Sequence, residues 1–70
     1  MKQPRRHSIV VVPDHGAEYS AAVLPASVNM FEVIDFARDV LHSTPRAKAV
    51  KIVRLSASGT TKYLLDTITA

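Results

Sequence analysis

The chain contains no cysteine, only two glycines and no long apolar run. Without cysteine neither a disulfide nor a thiolate metal site can form, and the chain suits a reducing cytosol. Two isolated glycines exclude the glycine-rich loop that cradles phosphate groups. The longest apolar run, Ile9–Pro13, is far shorter than the roughly 20 residues that span a bilayer. We therefore expect a cytoplasmic protein with no membrane segment.

The sequence shows no set of residues that could carry out catalysis. No serine lies in the G-x-S-x-G pattern that positions a nucleophile. Asp14, His15 and Glu18 are close in sequence, but a solvated turn explains them more simply than a metal site does. His7 and His42 lie in other segments. We predict a protein that is not an enzyme and that binds neither a cofactor nor a metal ion.

Seventy residues correspond to one domain, and its excess charge lies at one end. The formal net charge is +3. Lys2, Arg5 and Arg6 provide three of the nine basic side chains, and the remaining six balance the six acidic ones. We predict a flexible basic arm over residues 1–7 and a neutral single domain over residues 8–70.

Two apolar hairpins flank one helix in the predicted layout. Residues 9–24 form the first hairpin, with turn chemistry at 13–16. Residues 48–68 form the second, with a glycine-containing connection at 57–60. Residues 27–43 carry an apolar stripe at helical spacing. We predict an α+β fold with the order ββαββ, in which a four-stranded, mainly antiparallel sheet carries one helix packed on one face.

Local signals mark both ends of the helix. Asn29 and Glu32 have the spacing of a capping box, with Ser27 as the competing N-cap. Pro45 ends the helix, because the residue before proline is excluded from the α region.

Phe31 lies on the polar side of the helix, where it gains nothing from a core. It forms a ridge with Asp35, Arg38 and His42, which follow it at i+4, i+7 and i+11. Aromatic and arginine side chains are the usual anchors of protein interfaces. We predict that this helix ridge binds a partner protein. The alternative is that Phe31 folds back over residues 25–27 as local packing.

One helix covers only one face of a four-stranded sheet. In the second hairpin the mid-strand Lys51 belongs outside, and the face away from the helix then carries Val53, Leu55, Leu64 and Ile68. Such a patch is larger than a soluble monomer usually exposes. We predict that it forms a homodimer or a partner interface. The alternative is a β-bulge, which would swap the two faces of a strand.

Nucleic acid is the second predicted partner. Its contacts would come from the arm and from a basic stretch in the second half of the chain: Lys2, Arg5, Arg6, Arg46, Lys48, Lys51 and Arg54. Alternation along the second hairpin predicts that Tyr63 points toward the core. In the first hairpin Tyr19, Ala21 and Val23 share one face, and we predict that this face also points toward the core. Neither tyrosine would then stack on bases. The alternative for the arm is a solvated tail.

In its ββαββ layout across residues 8–68 the chain resembles small phage-encoded inhibitors, among them anti-CRISPR proteins. Those are often single domains without catalytic residues, built from a short sheet and a helix or two. The resemblance implies a protein that docks on a nuclease complex and blocks DNA access or cleavage. We therefore rank a non-enzymatic interaction or inhibitor protein first. A small nucleic-acid-binding or regulatory protein is second, and an accessory subunit of a larger assembly is third.

Overall fold

The structure, a computed structural model, describes residues 6–25, 27–56 and 61–69 and confirms the ββαββ order. Its elements are β1 (Arg6–Pro13), β2 (Tyr19–Pro25), α1 (Met30–Ser43), β3 (Ala47–Leu55) and β4 (Lys62–Thr69). The strands form one antiparallel sheet in the order β2-β1-β3-β4. No helix in these residues is long and apolar enough to cross a membrane. Most of the predicted arm and the connection at 57–60 lie outside the described residues.

The core lies between α1 and the two central strands. Its buried side chains come from all three elements: Ile9 and Val11 of β1, Val50 and Ile52 of β3, and Val33, Ala37 and Leu41 of α1. The helical members follow one another at intervals of four residues, so they share one face. Full burial of a valine or isoleucine side chain contributes about 1.5–3 kcal/mol. This cluster therefore fixes which face of the sheet α1 covers.

The cap residue decides where the helix begins. The backbone N–H of Glu32 donates to Oδ1 of Asn29 at 2.9 Å, and α1 starts at Met30. Asn29 is thus the N-cap, and Ser27 is not. At the other end Thr44 is extended, with φ −104° and ψ 107°, as expected before Pro45.

A β-bulge lies in the outer strand β4. Leu64 pairs with Val53 and Asp66 pairs with Ile52, so Leu65 is the extra residue between two ladder positions. An extra residue reverses the inside–outside alternation of every residue beyond it.

The bulge separates Ile68 from Leu64. Ile68 stands opposite Val50 and packs against the buried core on the helix side. The predicted placement of Ile68 on the other face is therefore wrong, because the alternation was counted without the bulge. Leu64, which stands opposite Val53, lies on the face away from α1.

The other outer strand, β2, contains a second bulge at Ala21. Ser20 pairs with Val10 and Ala22 pairs with Ile9, which leaves Ala21 between them. Ala22 packs against the core. Val23 therefore points to the face away from α1, and its predicted place in the core is wrong for the same reason.

Candidate interaction surfaces

The sheet face opposite α1 is concave and forms a groove of about 590 Å³. Its aliphatic side chains come from all four strands, namely Val10, Val23, Val53, Leu55 and Leu64, and Tyr19 of β2 also lines it. We call this surface the uncovered face.

The apolar side chains of the uncovered face remain open to solvent at its two borders. Leu64 on β4 is 61% exposed and Val23 on β2 is 48% exposed. Val53 and Leu55, on the central strand β3, are half-buried between them. The structure thus brings Val53, Leu55 and Leu64 together and leaves out Ile68, the fourth residue predicted for this surface.

An ion pair closes one end of the uncovered face. Nζ of Lys51 lies 2.6 Å from Oε1 of Glu18. Glu18 is therefore engaged by a lysine, and no group of three or more histidine or acidic side chains converges in the described ranges. Lys62 lines the face near its other end.

A pair of hydroxyls lies in the floor of the uncovered face. Ser8 is only 6% exposed, and its Oγ lies 2.9 Å from Oγ of Ser20. A buried hydroxyl without a partner would be costly, but this one is satisfied within the fold. The floor therefore demands no polar contact from an occupant.

The helix ridge is a second surface, on the other side of the molecule. Phe31 is 83% exposed, the largest exposed fraction among the exposed large apolar side chains of the described residues. Asp35, Arg38 and His42 are exposed as well. An exposed ring does not agree with the alternative in which Phe31 packs over residues 25–27. The structure places the four ridge residues on one accessible helix face, and their binding of a partner stays a prediction.

The basic residues of β3 do not form one surface. Lys51 lies on the uncovered face, whereas alternation puts Arg54 on the helix side. Lys48 is the extra residue of a bulge, since Val12 pairs with Ala49 and Pro13 with Ala47. The guanidinium of Arg54 lies over the ring of Tyr63, 5.5 Å from its centroid. Arg46 lies in the turn before β3, outside the strand.

The start of β1 shortens the predicted basic arm. Arg6 and His7 are strand residues, paired with Pro25 and Leu24 of β2. Lys2 and Arg5 lie outside the described residues. The residues predicted to contact nucleic acid are thus divided between two sheet faces, a turn and a part of the chain that is not described.

Sequence reasoning misses two members of the uncovered face, Val10 and Val23. Val10 lies within the uniformly apolar run 9–12, which has no alternation to separate its two faces. The bulge at Ala21 places Val23 on the face opposite to the one that simple alternation predicts. A bulge depends on the partner strand, so neither residue carries a local signal.

No family model matches the chain, and neither a curated protein nor a solved structure matches it. The layout resemblance to anti-CRISPR proteins therefore stays a prediction, and the two surfaces are the features of the fold that bear on function.

Proposed function

We propose that the protein is a non-enzymatic binding protein that acts by covering part of a partner protein's surface. The observation that carries this proposal is the uncovered face, where Val53, Leu55 and Leu64 lie together in one groove. The equivalent apolar side chains on the other face are sealed by α1. Exposed apolar patches with polar rims mark interaction sites, and this patch has Lys51 and Lys62 at its rim.

The size of the uncovered face suits such an interface. Four strands about 4.8 Å apart, each about eight residues long at ~3.3 Å per residue, give a surface of roughly 19 by 26 Å. A standard interface buries about 800 Å² on each partner, and the chain exposes 4901 Å² in total. One sheet face therefore supplies most of the area that stable binding requires.

The helix ridge adds a second contact surface to this proposal. Phe31 and Arg38 are of the residue types that anchor interfaces, and they face away from the sheet. A protein with binding surfaces on two sides can block its partner's access to a third molecule. An inhibitor of a nuclease complex, as the layout resemblance implies, is one form of this activity.

Site-specific photo-crosslinking tests the proposal. A benzoylphenylalanine at position 64 samples the uncovered face, and one at position 63 is the matched control. Tyr63 is adjacent in sequence and 50% exposed, but it lies on the opposite side of β4. We expect position 64 to capture one protein of the source cell that position 63 does not capture. The purified wild-type chain should then inhibit the activity of the captured protein, and Leu64→Lys should not.

Two results would contradict the proposal. One is a crosslink from position 64 to nucleic acid alone. The other is the absence of a protein crosslink from position 64 and also from position 31 on the helix ridge.

A further inference from the structure

We propose that the partner covers the uncovered face with an amphipathic helix whose borders are acidic. This inference rests on the proposed function, because it gives the chemistry of the partner at the same surface. Three features of the described residues support it: the way the opposite face is covered, the shape of the groove and the placement of its charges.

The opposite face of the sheet shows what covers a surface of this size. A single helix of 14 residues, α1, seals Ile9 and Ile52 on that side. Fourteen helical residues extend for about 21 Å, close to the length of the strands. The uncovered face is built on the same strands and carries an apolar strip of its own, with serines and charged side chains beside it, so a second helix has an apolar surface to bury.

The groove has the cross-section of a helix. One row of residues crosses all four strands: Val23, Ser8, Val53 and Leu64, in that order. The outer two are large and exposed, whereas Ser8 in the floor is small and buried. Three strand spacings separate the outer residues by about 14 Å, which is comparable to the diameter of a helix with its side chains, about 10–12 Å. The groove therefore runs along the strands, with apolar walls on both sides.

Positive charge marks the two ends of the groove. Lys62 pairs with Leu55, four residues along β3 from Lys51, so the backbone positions of the two lysines are about 13 Å apart along the strands. Among the described residues of the lining Glu18 is the only acidic one, and it offsets Lys51, so the two lysines and one glutamate leave one positive charge in excess. A helix that carries acidic residues two to three turns apart, beside an apolar stripe, complements this arrangement.

The same charges disfavour a second copy of the chain as the occupant. Two uncovered faces placed against each other would bring two sets of Lys51 and Lys62 into one interface. Each Lys51 is paired with its own Glu18, so the repulsion would come from the two Lys62 side chains, which meet no further acidic residue of the described lining. Like charges across an interface lower its stability. The homodimer expected from the sequence is thus the competing occupant, and the experiment has to separate it from a helix.

Fluorescence anisotropy with designed peptides tests the inference. The probe is a labelled 16-residue peptide with leucine along one helical stripe and glutamate along both borders. One control peptide has lysine in place of each glutamate. A second control has the probe's composition in an order that removes the stripe. We expect the probe to bind the full chain at least tenfold more tightly than either control.

Variants of the chain locate the binding site. Leu64→Lys should weaken probe binding at least tenfold, and Lys62→Glu at least fivefold. Tyr63→Lys is the matched control, because Tyr63 is adjacent in sequence and 50% exposed but lies on the opposite side of β4; it should leave binding unchanged. Circular dichroism verifies that each variant is folded, and Leu64→Ser replaces Leu64→Lys if the charged variant is not.

Each other outcome overturns the inference in a recognisable way. Equal binding of the lysine peptide removes the acidic borders from the proposal, and equal binding of the reordered peptide removes the amphipathic helix. Sedimentation that shows a dimer of the wild type but not of Leu64→Lys, with no probe binding, makes a second copy the occupant. A protein crosslink from position 64 without probe binding overturns the helix alone and leaves the proposed function intact. If the probe does not bind and no protein is crosslinked from position 64 or from position 31, the helix inference and the proposed function are both overturned.

Discussion

Lys51 in the middle of β3 forms a 2.6 Å ion pair with Glu18, which precedes β2. The contact joins residues 33 positions apart and lies at one end of the uncovered face. Both side chains are partly exposed, at 34% and 45%. Solvent screens an ion pair of this kind, so its stabilising effect is small. Its main effect is to hold the lysine in place at the rim of the groove.

We predict that removal of this ion pair barely changes folding stability. In a double-mutant cycle of Glu18→Gln and Lys51→Met, the coupling free energy should be about 0.2–1 kcal/mol. Urea denaturation of the four proteins measures it. Because the charges are partly exposed, the coupling should also decrease when salt is raised to about 1 M, where the Debye length is only about 3 Å. A coupling that is several times larger and insensitive to salt would contradict the prediction.

The turn between α1 and β3 contains a residue in an unfavourable backbone conformation. Arg46 has φ 66°, in the left-handed region. The backbone N–H of Ala47 donates to the carbonyl of Thr44 at 3.3 Å, so Pro45 and Arg46 are the two central residues of a turn. Proline followed by a residue with positive φ is the pattern of a type II turn, in which glycine is favoured at the second central position.

We predict that Arg46→Gly stabilises the fold and that Arg46→Val destabilises it. The left-handed conformation costs an L-residue roughly 1–2 kcal/mol, and the added chain entropy of an unfolded glycine offsets about 0.5–1 kcal/mol of that relief. The net gain should be up to about 1.5 kcal/mol. The carbonyl of Arg46 accepts the backbone N–H of Asp14 at 2.8 Å, and both variants keep this backbone acceptor, so the comparison tests the cost of the positive φ. Thermal melts measure the difference, and a glycine variant that melts below the wild type would contradict it.

The helix cap gives a prediction with an internal control. Asn29→Ala removes the acceptor for the N–H of Glu32 and should lower stability by about 1 kcal/mol. Ser27 is the rejected N-cap and is exposed, so Ser27→Ala should stay within about 0.5 kcal/mol of the wild type. Chemical denaturation compares the three proteins. If both substitutions lowered stability equally, the assignment of a single cap would be wrong.

The contrast between Asn29 and Ile68 explains which features could be predicted from the sequence. The cap and the apolar stripe of α1 are encoded within a few consecutive residues, so the helix could be placed within three residues at its start. The face of Ile68 depends on the bulge at Leu65, and a bulge is a property of two paired strands. In β3 the groove residues Val53 and Leu55 could be predicted, because the charged Lys51 shows which face of the strand is turned away from the core. The groove could not be predicted on β2, because the bulge at Ala21 interrupts the inside–outside alternation of side chains in that strand.

Phe31 provides the last prediction, which separates a core role from a binding role. Its side chain is 83% exposed, so Phe31→Ala should change the free energy of unfolding by no more than about 0.5 kcal/mol. Ile52→Ala is the control for a buried apolar side chain, since Ile52 is fully buried, and it should cost about 2–5 kcal/mol. Thermal melts run side by side measure both. A drop for Phe31→Ala as large as that for Ile52→Ala would place Phe31 in the core and remove the helix ridge.

Binding of the partner captured through position 64 completes the test of the helix ridge. If the ridge also binds that partner, Phe31→Ala should weaken the complex by about 2 kcal/mol or more, as expected for an anchor residue. Isothermal titration with folded Phe31→Ala and Leu64→Lys measures each contribution. Phe31 and Leu64 lie on opposite sides of the molecule, so one flat partner surface cannot contact both. A loss of affinity in both variants therefore means that the partner wraps around the domain or binds as two copies, whereas a loss in Leu64→Lys alone assigns occlusion to the uncovered face.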